Sequence, residues 1–405
     1  MPRTPARSSR RRFLRRCGWI GTAALAAPWA WSAPGVEAPS ARLRAAIIGH
    51  TRRGDYGHGH ELIFNDRPDV EVVAVADPSE TGRAEAAVRC HAARQYPSYS
   101  QMLRQERPQL VSIAPRWTDQ HHDMAMQALR LGAHLYLEKP ITQTLEQADE
   151  ILALAGQAGR KVVVAHQMRL APQLVRLKEA IAAGLIGDLL ELRAHGKQDA
   201  RAGGEDLIVL GIHLFDLMRM FAGDALWCTA RVTQDGRDIQ LADAHEATEN
   251  IGPIAGHEIQ AQFGFAHGIN GVFTSRAAYR AEAGRWGIEL IGAKGRARIL
   301  ADIFPAVLLH EGDDWTAAGH KSAWRPWKDD PSLSLPAEEQ SVRAANRRVV
   351  DDWLAAIRSG GEPACSGRNA MQALEMAMAV FEAGLNRSRV ALPLARRSHP
   401  LVPEP

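Results

Sequence analysis

The chain is poor in cysteine: Cys17 lies near the N-terminus, and Cys90, Cys228 and Cys365 are scattered through the rest. Three scattered cysteines make neither a disulfide framework nor a zinc ligand set, although one pair could oxidise outside the cytoplasm. After residue 33 no run of 18 apolar residues free of charge occurs, which excludes a membrane-spanning helix there. A true excess of positive charge is missing too. The formal net charge is +3, but residues 1–17 hold seven arginines and no acid, so removing that segment leaves −4. The charge argument for a nucleic acid or an anionic membrane as partner disappears with it. The whole chain is 46% hydrophobic and 23% charged, a soluble globular balance, and 405 residues suit two domains.

The arginines that distort the charge have a pattern. Ser9-Arg10-Arg11-Arg12-Phe13-Leu14-Arg15 matches the twin-arginine export consensus: two adjacent arginines, a spacer, Phe and Leu. A modestly apolar, Ala/Gly-rich stretch from residue 18 to about 30 follows, and small residues near Ala30–Ala33 offer cleavage sites. Residues 1–33 are therefore expected to be a signal peptide read by the twin-arginine machinery. That route carries folded proteins, which predicts a periplasmic protein leaving the cytoplasm with its cofactor bound.

Residues 42–165 alternate short apolar strands, at 44–48, 70–76, 109–114, 134–138 and 162–166, with helices near 58–65, 80–91, 119–131 and 145–158. Nearly continuous apolar strands between helices predict a doubly wound parallel sheet covered on both faces, a Rossmann α/β domain. Residues 166–395 change pattern. Helices at 172–183 and 206–221 accompany strands at 189–195, 225–232, 258–265, 271–275, 287–291 and 297–300, with two late helices at 341–357 and 369–385. Strands in succession predict an α+β second domain with an open, mainly antiparallel sheet. Loops 236–256 and 310–337 are long enough to suggest function.

The first strand runs into Gly49-His50-Thr51-Arg52-Arg53-Gly54, a G-x-G-x-x-G pattern with Thr51 in the second glycine's place. The first glycine permits a sharp turn, the second lets backbone approach a pyrophosphate, and the third allows close helix–strand packing. A helix N-terminus is expected to present free N–H groups to the phosphates, with the Thr51 hydroxyl as a further donor. Asp77 ends the second strand 28 residues after Gly49, where its carboxylate can accept from both ribose hydroxyls. A carboxylate repels a 2′-phosphate, which points to NAD. Arg52 and Arg53 keep NADP as an alternative.

His134-Leu135-Tyr136-Leu137-Glu138-Lys139-Pro140 resembles the Gfo/Idh/MocA oxidoreductases, whose mark is Glu-Lys-Pro at the end of a Rossmann strand. Further matches are His121, His166-Gln167-Met168-Arg169 with Pro172, Gly184-Leu185-Ile186-Gly187, Gly211–Asp216, and Leu392-Pro393, so the likeness covers about residues 42–395. The resemblance implies cofactor contacts at Pro115, His121, Glu138 and Lys139, with His50 from the glycine turn. It makes His213 the general base and Lys139 its catalytic helper. Independently, a lysine at the carboxyl edge of a parallel sheet faces the ligand crevice, and a neutral imidazole can take a hydroxyl proton near pH 7. Gln167 and Arg169 are expected to meet substrate hydroxyls or a carboxylate, Asp216 to join them in the substrate site, and Trp117 to stack on a sugar face. Members of the family often carry an Asp four residues before this histidine; here Val209 stands there, leaving Asp206 or Asp216 to orient His213. No metal is expected, because no carboxylate or cysteine completes a ligand set around His58, His60, His121 and His122.

The functional expectation is hydride transfer between tightly held NAD(P) and a sugar, cyclitol or related polyol. Two alternatives stand beside it: glycoside cleavage through transient oxidation, and a non-catalytic binding or sensory protein. Fold analogy adds a homo-oligomer paired through the open sheet.

Overall fold

The computed structural model describes residues 42–277, 286–312 and 323–403. The twin-arginine segment, its cleavage region and part of the 310–337 loop lie outside them. From Arg42 to the C-terminus the chain forms one compact unit.

Six strands form the first sheet: β1 (Leu43–Ile48), β2 (Val70–Ala76), β3 (Arg94–Tyr96), β4 (Leu110–Ile113), β5 (His134–Leu137) and β6 (Val162–Val164). All pair in parallel, in the order β3-β2-β1-β4-β5-β6. This is the Rossmann order, with its switch point between β1 and β4. Alternation along β1 shows why the strands read as apolar runs. Ala46 and Ile48 enter one core while Ala45 and Ile47 enter the other, on the opposite face. Ser79, Ser98 and Thr144 cap the N-termini of α1 (Glu80–Cys90), α2 (Tyr99–Glu106) and α4 (Leu145–Ala158) with their side-chain oxygens. Helix α3 is His121–Arg130.

Two features differ from the sequence expectation. β3 and α2 were not anticipated, because Arg94-Gln95-Tyr96 exposes two polar side chains and offers no apolar run. The expected helix at 58–65 is a single 3-10 turn, His60–Leu62. Within that span Gly59 takes positive φ, which a right-handed helix does not contain, and the turn before it does so at Arg52, Gly54, Asp55 and Gly57.

The second sheet has ten strands. Its central run is β7 (Leu189–His195) between β10 (Asn270–Arg276) and β11 (Gly287–Gly292), flanked by β8 (Ala225–Gln234) and β9 (Glu258–Phe265) on one side and β12 (Gly295–Leu300) and β13 (Ala306–Glu311) on the other. Among the described residues only β7–β10 is a parallel pair; the others run antiparallel. After α5 (Pro172–Ala182), one helical stretch crosses behind this sheet: α6 (Gly204–Asp206), a π-helical segment Leu207–Gly211 and α7 (Ile212–Ala222). The late helices are α8 (Val342–Ser359) and α9 (Gly367–Asn386). Helix α8 returns to the first sheet. Its Val349, Val350, Trp353 and Leu354 share a core with Ile47, Val75 and Tyr136, covering the face that the shortened helix after β1 leaves open. Cys90, Cys228 and Cys365 are buried and free.

Candidate functional site

The parallel register aligns the carboxyl ends of β4, β5 and β6, and each end delivers a functional segment. β5 ends in Glu138-Lys139, followed by a cis peptide to Pro140. β4 leads into Pro115–Trp117, and β6 into His166 and Gln167. From the second domain come the π segment, His213 on α7, and Trp286 at the start of β11.

These parts enclose two adjoining cavities. One, of about 250 Å³, is lined by His58, Arg116, Lys139, Lys197, Arg201, Asp206, Val209 and Glu249. The other, of about 170 Å³, is lined by Lys139, Gln167, Met168, Lys197, Leu210, His213, Trp286 and Asp302. Lys139 and His58 border both. A larger cavity of about 750 Å³, between α4 and α9, contains none of these groups.

Lys139 is 7% exposed, and its ammonium donates to the Val209 carbonyl at 3.0 Å. A π turn shifts the helical bonding register and so changes which carbonyls face outward. Val209 therefore takes part through its backbone although its side chain cannot replace a carboxylate. Burial, helped by the charges of Arg201 and Arg116, lowers the Lys139 pKa against the opposing pull of Glu138 and Glu249. Glu138 is fully buried; its carboxylate bonds the His58 ring and the Lys139 backbone N–H. Burial works to raise its pKa, but the His58 bond and the surrounding positive charges prevail and hold it below the usual carboxylate range. His213 stacks edge-on against His166 at 5.1 Å and Trp286 at 6.1 Å between ring centres. Burial first, then the Lys139 charge, push its pKa well down. A neutral His213 beside a lysine of weakened basicity can accept a hydroxyl proton and pass it on. Asp206, 2% exposed, accepts from the Ser275 hydroxyl at 2.7 Å and the Lys197 N–H at 3.1 Å, while its Oδ1 has no partner. Burial raises its pKa to about 6.

Several expected site residues have other engagements. Arg169 and Asp216 hold each other through bonds of 2.7–3.1 Å, so neither is free for substrate, and Asp216 does not orient His213. Opposite charges taken out of water together satisfy one another first. His121 is fully buried between the carbonyls of Pro115 (2.7 Å) and Pro140 (3.0 Å), where it clamps the two loops and is shielded from any cofactor. Pro115 is likewise buried. Trp117 carries the Arg53 guanidinium 5.4 Å over its ring, and Arg53 pairs with Asp119. Gln167 lines the smaller cavity with its amide bonded to Asn346 at 2.8 Å.

The glycine turn departs most from expectation. Asp77 is fully buried: its Oδ2 accepts from the Thr51 N–H (2.9 Å) and hydroxyl (2.8 Å), and its Oδ1 from the Ser79 N–H (2.8 Å). The Thr51 hydroxyl thus faces Asp77 rather than a phosphate. Gly49 is required because the Tyr56 ring packs on it, and Gly54 because the Arg116 and Trp117 backbone lies where a side chain would be. His50 bonds Gln120 at 3.0 Å, and the Arg52 N–H bonds Asp55 at 2.9 Å. No α-helix N-terminus follows the turn. For a dinucleotide, the carboxyl edge of β5 opens on cavities, while at the glycine turn Asp77 and the Thr51 side chain bond each other within the chain. Sequence reasoning missed His58, Lys197, Asp206 as a cavity group, Glu249 and Trp286. His58 had a signal, standing between Gly57 and Gly59 in a turn opposite the lysine strand; the others lie far apart in sequence and offered none.

A Rossmann sheet with a buried Glu-Lys pair at the edge of β5, closed by a histidine from a second α/β domain, defines a nicotinamide-dinucleotide oxidoreductase. Comparison with known proteins agrees. The family models for the NAD-binding Rossmann fold and the C-terminal alpha/beta domain of these oxidoreductases match residues 43–166 and 178–392. The chain belongs to the Gfo/Idh/MocA oxidoreductase family, and it is an NAD-binding enzyme of the sugar-dehydrogenase-like kind. It is 26% identical to D-apiose dehydrogenase of Paraburkholderia graminis, over 84% of this chain and 87% of that one. It is 29% identical to D-glucoside 3-dehydrogenase of Escherichia coli over 44% of this chain and 53% of that one. Among solved structures, levoglucosan dehydrogenase in complex with NADH and L-sorbose shares the fold at 20% identity and a TM-score of 0.71, covering 87% of this chain and all of that one.

Proposed function

We propose that the enzyme oxidises a secondary hydroxyl, or reduces the matching ketone, of a sugar, cyclitol or related polyol. The observation that carries this reading is the pairing in one cavity of buried Lys139 with His213, walled by the Trp286 ring. The aromatic wall suits the apolar face of a sugar. NAD, when bound, supplies or takes the hydride. His213 accepts the hydroxyl proton in the oxidising direction, and Lys139, anchored on the Val209 carbonyl, donates to the same substrate oxygen as its charge changes. Gln167, held by Asn346, orients a second hydroxyl. Replacing His213 by Ala, or Lys139 by Ala, is expected to lower kcat for a sugar substrate by about 10²- to 10⁴-fold, read as the change in reduced-nicotinamide absorbance. Unchanged turnover in both variants overturns the assignment.

Asp206 favours a second reading, in which transient oxidation precedes loss of a glycosidic oxygen. Near pH 6 its carboxyl holds a proton to give to a leaving group. Release of the aglycone from an aryl glycoside supports this reading, and accumulation of a keto-glycoside removes it. The twin-arginine pattern at Arg10 and Arg11 supports export to the periplasm in folded form, which fractionation of cells tests.

A further inference from the structure

Thr51 stands in an unusual relation to the carboxylate that the family's NAD site uses. Asp77 has no exposed surface, and three donors from its own chain surround it. Two of these, the N–H groups of Thr51 and Ser79, are backbone and accompany any residue in this turn. The third, the Thr51 hydroxyl at 2.8 Å, exists only because a threonine replaces the fingerprint's second glycine. It meets the carboxylate as a ribose hydroxyl would, at a hydroxyl–carboxylate distance. The same side chain fills the gap to the first turn of α1: a side chain at Gly82 would overlap the Thr51 hydroxyl. Thr51 thus stands at the Asp77 oxygen that a ribose hydroxyl would otherwise meet.

The geometry points to Thr51 as the residue that sets the enzyme's affinity for the adenosine ribose, acting as an internal competitor for Asp77. Cofactor binding exchanges one hydroxyl–carboxylate bond for another, so the ribose gains little at Asp77. Removing the hydroxyl and its carbons frees an acceptor oxygen on Asp77 and the volume of that side chain. The gain falls on the unphosphorylated ribose, because the freed Asp77 charge repels a 2′-phosphate. Thr51 therefore also blunts the discrimination that Asp77 would otherwise exert.

The test is calorimetric titration of the purified protein with NAD and with NADP. Thr51→Gly is expected to tighten NAD binding by roughly tenfold or more, the scale of one hydrogen bond to a charged group, and to leave NADP nearly unchanged. Thr51→Ser, which keeps the hydroxyl, should bind both cofactors like the parent. Should the glycine variant fail to fold, Thr51→Ala carries the same expectation. Equal NAD affinity in the parent, Ala and Gly proteins overturns the role given to Thr51 and leaves the family's NAD site standing. Absence of NAD binding in all of them overturns that site for this chain, and the inference with it.

Discussion

Asp206 carries a pH signature because its carboxylate is buried and half of it is unsatisfied. Its folded pKa of about 6 exceeds the roughly 3.9 of an unfolded aspartate. The folded state thus binds a proton more tightly than the unfolded one. This group's contribution to stability is greatest below about pH 4 and is lost as pH rises through 6, a change of about 3 kcal/mol in all. Asp206→Asn keeps the shape and the bonds from Ser275 and Lys197 while removing the charge. The variant should match the parent near pH 4 and exceed it above pH 7, as read by chemical denaturation at both. A parent as stable relative to the variant at pH 8 as at pH 4 would remove the buried-acid account. At this scale the sequence disclosed residues whose chemistry follows from place in a motif. Glu138 and Lys139 sit at a strand's carboxyl edge, and His213 is a polar residue in an apolar helix. It could not disclose Arg169 with Asp216, because which of two charges meets substrate depends on whether they meet each other.

Elements couple the site to the rest of the fold through α8. Its Asn346, 2% exposed, accepts from the Tyr136 hydroxyl at 3.2 Å and the Gln167 amide at 2.8 Å, and donates to the His58 carbonyl at 3.0 Å. One side chain thereby joins β5, the turn after β6 and the loop after β1. Asn346→Leu leaves the buried Tyr136 hydroxyl and the Gln167 amide without their partner, at an expected cost of about 2–4 kcal/mol. Since His58 and Gln167 border the cavity, KM for the sugar should rise as well. A variant as stable as the parent with an unchanged KM would show that α8 only packs. This coupling was not legible. Residues 341–357 read clearly as an amphipathic helix, but periodicity says that a face is buried and not against which sheet. The helix expected at 58–65 is cut short locally, since Gly59 takes positive φ and only a 3-10 turn follows it.

The whole molecule shows how a chain with three free thiols would withstand the oxidising compartment proposed for it. The sequence left open that one cysteine pair oxidises after export; the fold instead places Cys90, Cys228 and Cys365 singly, each buried. Burial raises the Cys90 thiol to about 11 and pushes Cys228 and Cys365 up as well, so little reactive thiolate forms near neutral pH. A protein exported folded keeps these thiols shielded throughout, whereas one exported unfolded meets oxidants with all three accessible. The expectation at this scale joins the two facts. Protein recovered from the periplasmic fraction should lack the leader, resist a thiol-reactive maleimide while native, and take up three labels once unfolded. Replacing Arg10 and Arg11 by Lys should retain the chain, with its leader and Cys17, in the cytoplasm and leave Cys90, Cys228 and Cys365 equally resistant, because their shielding belongs to the fold and not to the route. Export of the Lys variant at the parent's level would remove the twin-arginine reading. Rapid labelling of the native protein would show instead that the cores around these thiols open.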